Sequence, residues 1–408
     1  MLSQLWFAFF VASFVSACYE WLVNGQADIF ATLIQSTFDM AGLSVEIAIG
    51  LIGVLALWLG FFSIAERAGM IQLLSRALEP LFLKLMPEVP KNHPSHGSIT
   101  MNIAANILGL DNAATPMGLK AMQDLQSLNP SQDTASNAQI LFLVLNTSSL
   151  TLLPVTIFMY RAQLGSADPT AVFLPILMAT SASTLTGLLA VAWVQKINLF
   201  NRTVAAYFAV FAIVLAALAS FLVSLPAEKM AESSSLLGNF ILFGIIMLFL
   251  VYGWRKKVDV YDAFIEGAKQ GFDIAIHLIP YLLAMLVAIG LLRSSGVLDL
   301  LLQGIDSLVS SLGMNTDFIG ALPTAFMKPL SGSGARAMML ETMNTYGVDS
   351  FPATVAAIMQ GSTETTFYVL AVYFGSVGIK KVRHAVGCAL LADLAGIVTA
   401  IYAGYLFF

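Results

Sequence analysis

The sequence predicts an all-α, polytopic helical membrane protein made of two related halves that run in opposite directions. Three observations predict it. Hydrophobic residues make up 58% of the 408 residues and charged residues 11%, where soluble domains carry about 25% charged residues, and the mean hydropathy is +0.83. Several stretches reach the roughly 20 apolar residues needed to cross a bilayer. The chain also repeats itself. SVEIAIGLIGVLALWLGFFSIAERAGMIQLL from Ser44 aligns with GFDIAIHLIPYLLAMLVAIGLLRSSGVLDLL from Gly271 at a constant offset of 227, placing Glu46 on Asp273 and Gly69 on Gly296. Duplication inside a hydrophobic chain points to a transporter of two related halves, with its site at matching polar or Gly/Pro-broken segments.

Crossings are expected near 4–23, 44–66, 137–160, 170–194, 203–224, 236–254, 272–293, 352–377 and 384–407. The first contains Val15-Ser16-Ala17-Cys18, which looks like a lipoprotein cleavage box. No Lys or Arg precedes it, so it is read as a transmembrane helix. Residues 24–43 read as an outer loop. Segments 97–126 and 317–346 are too broken for plain spans and read as re-entrant helical hairpins. This divides the chain into 1–43, a first repeat 44–195, two connecting helices in 196–270, and a second repeat 271–408.

Basic residues collect on cytoplasmic loops. Arg67, Arg76, Lys84 and Lys91 follow the second crossing; Lys196 and Arg202 follow the fourth; Arg255, Lys256, Lys257 and Lys269 precede the seventh; Lys380, Lys381 and Arg383 precede the last. The intervening loops are poor in net positive charge. With hairpins that return to the side they left, this places the N-terminus inside and the C-terminus outside, and inverts the two repeats.

Composition excludes several functions. A net charge of −5 offers no basic surface for nucleic acid. Cys18 and Cys388 are too few and too distant for a disulfide framework or zinc site. There is no P-loop or dinucleotide fingerprint, no HExxH and no GxSxG. No cofactor is expected, the chain is not read as an enzyme, and transport would be passive or driven by an ion gradient. His93 and His96, in PKNHPSHGS, are too sparse for a metal site and read as a solvated loop.

The repeats match again further on. At an offset of 221, Asp111-Asn112-Ala113-Ala114-Thr115 falls on Gly332-Ser333-Gly334-Ala335-Arg336. At 214, Asn146-Thr147-Ser148-Ser149-Leu150-Thr151 falls on Gln360-Gly361-Ser362-Thr363-Glu364-Thr365. A polar run at mid-span, followed by Pro154, interrupts a helix. Gly361 would loosen the second copy. Interrupted helices expose N–H groups at one half-helix end and carbonyls at the other, which can hold a polar solute or ion. Glu364 adds an ionisable group at membrane depth, a functional candidate by default. Asp273 and His277 form a second pair, one helical turn apart. Lys328 and Arg336 flank PLSGSG and could pair with Glu341 or another acid. Asp393 lies inside the last span.

MNIAANILGLDNAATPMGLKAM and NTSSLTLLPVTIFMYRAQLGSADP resemble spore maturation protein A, while GFDIAIHLIPYL, MKPLSGSGARAMMLETM and IMQGSTETTFYVLAVYFGSVGIKK resemble spore maturation protein B. The chain looks like a fusion of the two families, over most of residues 40–408. The resemblance implies two nucleoside-recognition Gate domains in a multi-pass protein of the bacterial inner membrane. It carries over Asn102, Asn106, Asp111, Asn112, Asn146, Thr147, Ser148 and Ser149 in the first half. In the second it carries over Lys328, Ser331, Ser333, Arg336, Gln360, Ser362, Thr363, Glu364 and Thr365. These are the expected solute-binding residues, with Glu364, Asp273 and His277 expected to couple an ion or proton. The leading function is a secondary transporter or permease for a small polar solute, nucleoside-like or related to the cell envelope. The alternatives are a membrane scaffold in which the polar blocks are helix glue, and an intramembrane enzyme on a lipid-linked precursor. Expected partners are the solute and the lipid bilayer, with a homo-oligomer compatible and nucleic acid excluded.

Overall fold

The computed structural model describes residues 2–107, 111–223 and 229–408. They form seventeen α-helices and no strands among the described residues. In order these are α1 (Leu2–Leu22), α2 (Ile29–Arg67), α3 (Met70–Leu85), α4 (Ser95–Ile107), α5 (Asp111–Gln126) and α6 (Asn137–Ser148). Next come α7 (Val155–Gln163), α8 (Phe173–Gln195), α9 (Arg202–Val223), α10 (Met230–Arg255), α11 (Val260–Ser294) and α12 (Val297–Ser311). The chain ends with α13 (Leu322–Met327), α14 (Gly332–Tyr346), α15 (Phe351–Ser362), α16 (Thr366–Ser376) and α17 (Ala385–Phe407). An all-helical result is what hydrocarbon demands, because a helix satisfies its own backbone.

Five helices are long and apolar enough to cross a membrane, from α2, α8, α10, α11 and α17, and α1 and α9 contribute shorter apolar stretches. Only 17% of the α10 span is buried, and Phe240, Phe243 and Trp254 are exposed on it. Apolar surface of that extent belongs against lipid. The chain is a multi-pass membrane protein.

Several boundaries differ from the sequence reading. Residues expected in an outer loop are helical from Ile29, because 29–41 holds no Pro or Gly to stop a helix that continues into the span. The repeat-equivalent helices α2 and α11 are thus 39 and 35 residues long. The spans expected at 137–160 and 352–377 are interrupted at the polar runs, as the sequence predicts: each is two short helices separated by non-helical residues, 149–154 and 363–365. His96 is not in a solvated loop: α4 starts at Ser95, and His96 is buried. Both of its ring nitrogens lack a hydrogen-bond partner among the described residues.

The chain divides into two compact units that cut across the repeats. Unit 1 is Met1–Gly60, Thr156–Pro169 and Ile265–Gln360; unit 2 is Phe61–Val155, Thr170–Phe264 and Gly361–Phe408. In unit 1, α2 and α11 pack antiparallel. A Cβ placed on Gly271 would meet Ala56 backbone at 2.5 Å, and one on Gly290 would meet Met40 Cγ at 2.5 Å. Equivalent helices that pack in opposite directions are what inverted repeats require. Unit 1 also holds the hairpin of the second repeat, α13 against α14.

Unit 2 holds the hairpin of the first repeat, α4 against α5, and a closely packed pair, α8 with α17. These last helices of the two repeats are antiparallel as well. Gly187 lies against Ala392 and Gly396 against Ser183, where an added Cβ would come within 3.2 and 3.3 Å. Glycines at both crossings let the backbones approach, the usual device of membrane helix pairs. The core of this unit gathers Phe142, Val144, Met122, Phe374 and Ala389.

Gly69 and Gly296, matched by the repeat, both adopt left-handed backbone, with φ of 82° and 77°. Each turns a long span into a helix with one apolar face, α3 or α12. A residue with a Cβ is strained in that conformation, which explains glycine in both copies.

Candidate functional site

The site candidates centre on the two helix breaks. In the first, α6 ends at Ser148, and Ser149 takes φ 21°, a conformation that costs a non-glycine residue about 1–3 kcal/mol. The surroundings hold it there. Its N–H donates to Leu145 O at 3.1 Å, and its carbonyl accepts from Thr180 Oγ1 at 2.5 Å. The Ser148 carbonyl accepts from Thr184 Oγ1 at 3.2 Å. These are the carbonyls that a helix leaves without intrahelical partners; here hydroxyls of α8 satisfy them. Pro154 closes the break just before α7. The hydroxyls of Thr147 and Ser148 turn back onto the carbonyls of Val144 and Leu145.

The second break meets the first within unit 2. The Glu364 N–H donates to the Thr147 carbonyl at 2.7 Å. The C-terminal end of α6, with its partial negative charge, therefore faces a backbone donor just ahead of α16. Thr365 stands at the N-cap position of α16 without a side-chain capping bond, and Thr366 Oγ1 donates to Asp393 Oδ2 at 2.7 Å. Asp393 is the one charged residue of α17 and is 2% exposed. Gly361 does not break the helix as the sequence suggests. It lies inside α15, and its missing side chain makes room for Ile176, which a Cβ would meet at 2.9 Å. Helix ends instead at Ser362, where the hydroxyl-rich run begins.

The hairpins reach both breaks. In unit 2, Asn106 Nδ2 near the end of α4 donates to Asn146 Oδ1 at 2.9 Å, and Asn146 Nδ2 donates to Phe142 O. Asn102 Nδ2 donates to Ala114 O at 2.7 Å and approaches Tyr373 OH at 3.5 Å. In unit 1, Lys328 is buried, and its Nζ donates to the Gln360 carbonyl at 2.7 Å. That carbonyl is in the last turn of α15, where a cation is favoured. Ser331 caps α14 by accepting from Gly334 N at 3.0 Å, and its Oγ lies 3.2 Å from Ser333 Oγ. Arg336 stacks over the Tyr160 ring at 5.7 Å. Glu341, a candidate partner for Lys328 or Arg336 in the sequence reading, pairs instead with Arg293. The side chains of Asp111 and Asn112 lie outside the described residues.

The expected coupling residues are dispersed. Asp273 and His277 are both exposed on α11. His277 Nδ1 contacts the main-chain carbonyl of Asp273 at 2.6 Å rather than its carboxylate, so the side-chain pair is not formed. The Glu364 side chain is exposed, while Ser362, Thr363, Thr365 and Thr366 around it are buried.

Several buried polar atoms near the breaks have no hydrogen-bond partner among the described residues. They are Gln360 Oε1 in unit 1, and Thr363 Oγ1, Ser181 Oγ, Ser183 Oγ and Asn102 Oδ1 in unit 2. A buried polar group left unpaired costs about 1–3 kcal/mol. Such a concentration suits a site for a polar solute or ion. The sequence reading missed Thr180, Ser181, Ser183 and Thr184 on α8, and the Thr366–Asp393 bond. The dense hydroxyl run of α8 inside an apolar helix was the available signal.

Comparison with known proteins agrees with this architecture. Residues 48–164 and 275–380 match the family model "Gate: Nucleoside recognition". Spore maturation protein B of Bacillus subtilis (strain 168) is 47% identical over 157 residues, covering 38% of this chain and 86% of that protein. Spore maturation protein A of the same organism is 41% identical over 149 residues, covering 36% of this chain and 76% of that protein. No solved structure matches the chain. Both hairpins and both broken helices fall within the two matched segments, and the chain belongs to the Gate, nucleoside-recognition, family.

Proposed function

We propose that this protein is a secondary transporter or permease for a small polar solute in the bacterial inner membrane, with a nucleoside-like solute as the first class to test. The supporting observation is the set of buried, unpartnered oxygens around the two breaks: Gln360 Oε1, Thr363 Oγ1 and Ser183 Oγ. In a membrane interior such oxygens carry a stability cost that a bound solute would offset. The name of the family supports the solute class, and no nucleotide-binding motif points to a different energy source. Asn146, Thr147, Ser148, Ser149, Ser362, Thr363 and Thr365 would bind the solute in one unit, and Lys328, Ser331, Ser333, Arg336 and Gln360 in the other. Glu364 is the proposed coupling carboxylate. The proposed orientation keeps the N-terminus cytoplasmic and the C-terminus outside.

One observation favours the competing scaffold reading: the carbonyls of Thr147, Ser148 and Ser149 are already satisfied by the protein itself. Uptake by purified protein in liposomes separates the two. The expected result is saturable accumulation of one solute class from a panel of nucleosides and polar metabolites, dependent on a proton or sodium gradient. No uptake of any solute under either gradient, by protein shown to be folded and inserted, overturns transport in favour of the scaffold.

A further inference from the structure

A charged cavity lies in unit 2, apart from the helix breaks. It encloses about 500 Å³ among the end of α3, the start of α6 and the end of α8. Lys84, Lys91 and Lys196 line it, with the amides of Asn198 and Asn201. Glu88 is its one acidic lining residue, and that carboxylate is engaged: Asn137 Nδ2 donates to Glu88 Oε1 at 2.7 Å. Three ammonium groups against one carboxylate leave the cavity positive.

The backbone adds to that charge. Asn137 and Ala138 are the first two residues of α6 and line the cavity. Their N–H groups belong to a helix N-terminus, which carries partial positive charge and favours anions. At the opposite wall, α8 ends with its partial negative charge, and Lys196 sits at its C-cap in left-handed backbone with φ 55°. The wall is held together, since Gln195 Nε2 donates to Asn137 O at 3.0 Å and contacts His384 Nε2 at 3.0 Å. Asn137 Oδ1 is buried and has no partner among the described residues.

The surroundings place the cavity at the bilayer surface. Trp193 is 83% exposed and Phe200 95% exposed, on either side of Lys196. Exposed aromatic residues beside lysines, at the end of a membrane-length helix, mark the interface between hydrocarbon and water.

We propose that this cavity binds an anionic phosphate group at the membrane surface, carried by an acidic phospholipid headgroup or by a soluble phosphate ester. Three point charges and a helix N-terminus recognise the oxygens, while Trp193 and Phe200 would lie against the acyl chains in the lipid case.

The test uses the full chain in nanodiscs. Binding of a fluorescent phosphatidylglycerol is compared with that of phosphatidylcholine, and thermal shift is measured with inorganic phosphate and glycerol 3-phosphate. Lys84→Gln, Lys91→Gln and Lys196→Gln are combined, and Lys256→Gln, Lys257→Gln and Lys269→Gln together serve as a charge-matched control away from the cavity. Preference for the anionic probe should fall about fivefold for each lysine removed and stay unchanged in the control. Glu88→Gln should strengthen binding. A preference for phosphatidylglycerol with no thermal shift from soluble phosphates identifies a lipid headgroup; a thermal shift with soluble phosphates, lost in the triple variant, identifies a free phosphate ester. A triple variant as selective as the parent, or a control that loses selectivity equally, overturns the site.

Discussion

Asn106 and Asn146 join a hairpin to a broken helix through a 2.9 Å hydrogen bond, and Lys328 makes the corresponding bond to Gln360 at 2.7 Å in the other repeat. Both bonds run from the inner end of a hairpin arm to the last turn before a break. The chemistry has diverged: an amide meets an amide in one copy, and a buried ammonium meets a main-chain carbonyl in the other. The duplication therefore preserved a tie between hairpin and break while making one side cationic.

The neutral tie is measurable. Asn106→Ala and Asn146→Ala, singly and together, should show a coupling of about 0.5–1.5 kcal/mol in denaturation of the detergent-solubilised protein. A coupling indistinguishable from zero would mean the hydrogen bond does not hold the hairpin.

Glu364 gives the sharpest test of coupling. Its side chain is exposed, so Glu364→Gln should leave expression and melting temperature unchanged within about 0.5 kcal/mol. Gradient-driven uptake should be lost while solute exchange persists. Unchanged driven uptake at matched protein levels removes Glu364 from the mechanism and leaves its backbone bond to Thr147 as its contribution.

Gly396 tests the packing of α8 against α17. A Cβ there would lie 2.9 Å from Thr363 Cγ2, 3.2 Å from Ser362 Oγ and 3.3 Å from Ser183 Cβ. Gly396→Ala should destabilise the protein by about 1–3 kcal/mol through overpacking and depress uptake, because the strain falls on the second break. Gly97→Ala, where nothing lies within 4 Å, is the matched control. Equal melting temperatures for the two variants would refute the close crossing.

The loop 347–350 is held by Arg161, which is 2% exposed, through Asp349 at 2.9 Å. Asp349 also accepts from Ser166 Oγ at 2.6 Å and the Ala167 N–H at 2.9 Å. Partial burial works against ionisation, but these hydrogen bonds and the Arg161 charge together hold its carboxyl below the usual carboxylate range. A depressed folded-state pKa adds stability that is complete above the unfolded value near 3.8 and is lost as the pH falls through the folded value. Asp349→Asn should cost about 1–2 kcal/mol at pH 7, discounted because the carboxylate is nearly half exposed. The gap in melting temperature between parent and variant should begin to narrow below about pH 4 and go on narrowing as the pH falls through the lowered folded-state value. A gap that stays constant across the whole acid range in which the protein remains folded would show that the carboxylate charge is not the cause.

The sequence by itself determined the class, the duplication, the hairpins and the places where helices break. Those follow from local physics. Apolar length makes spans, Asn-Thr-Ser-Ser followed by Pro154 cannot continue a helix cleanly, and a glycine at 69 and again at 296 permits the same left-handed turn. Tertiary structure decided the rest. The repeats are contiguous in sequence, yet each compact unit takes its hairpin from one repeat and part of its broken helices from the other, because antiparallel packing pairs equivalent helices. Glu364, alone in the sequence as an ionisable residue beside the second break, has an exposed side chain, while Asp393 is buried against Thr366. Gly361 looked like a breaker and is a packing position, since only its contact with Ile176 shows what the missing side chain is for. The hydroxyls of Thr180 and Thr184 reach the orphan carbonyls of α6 from a helix some thirty residues away, and only the folded chain sets that distance.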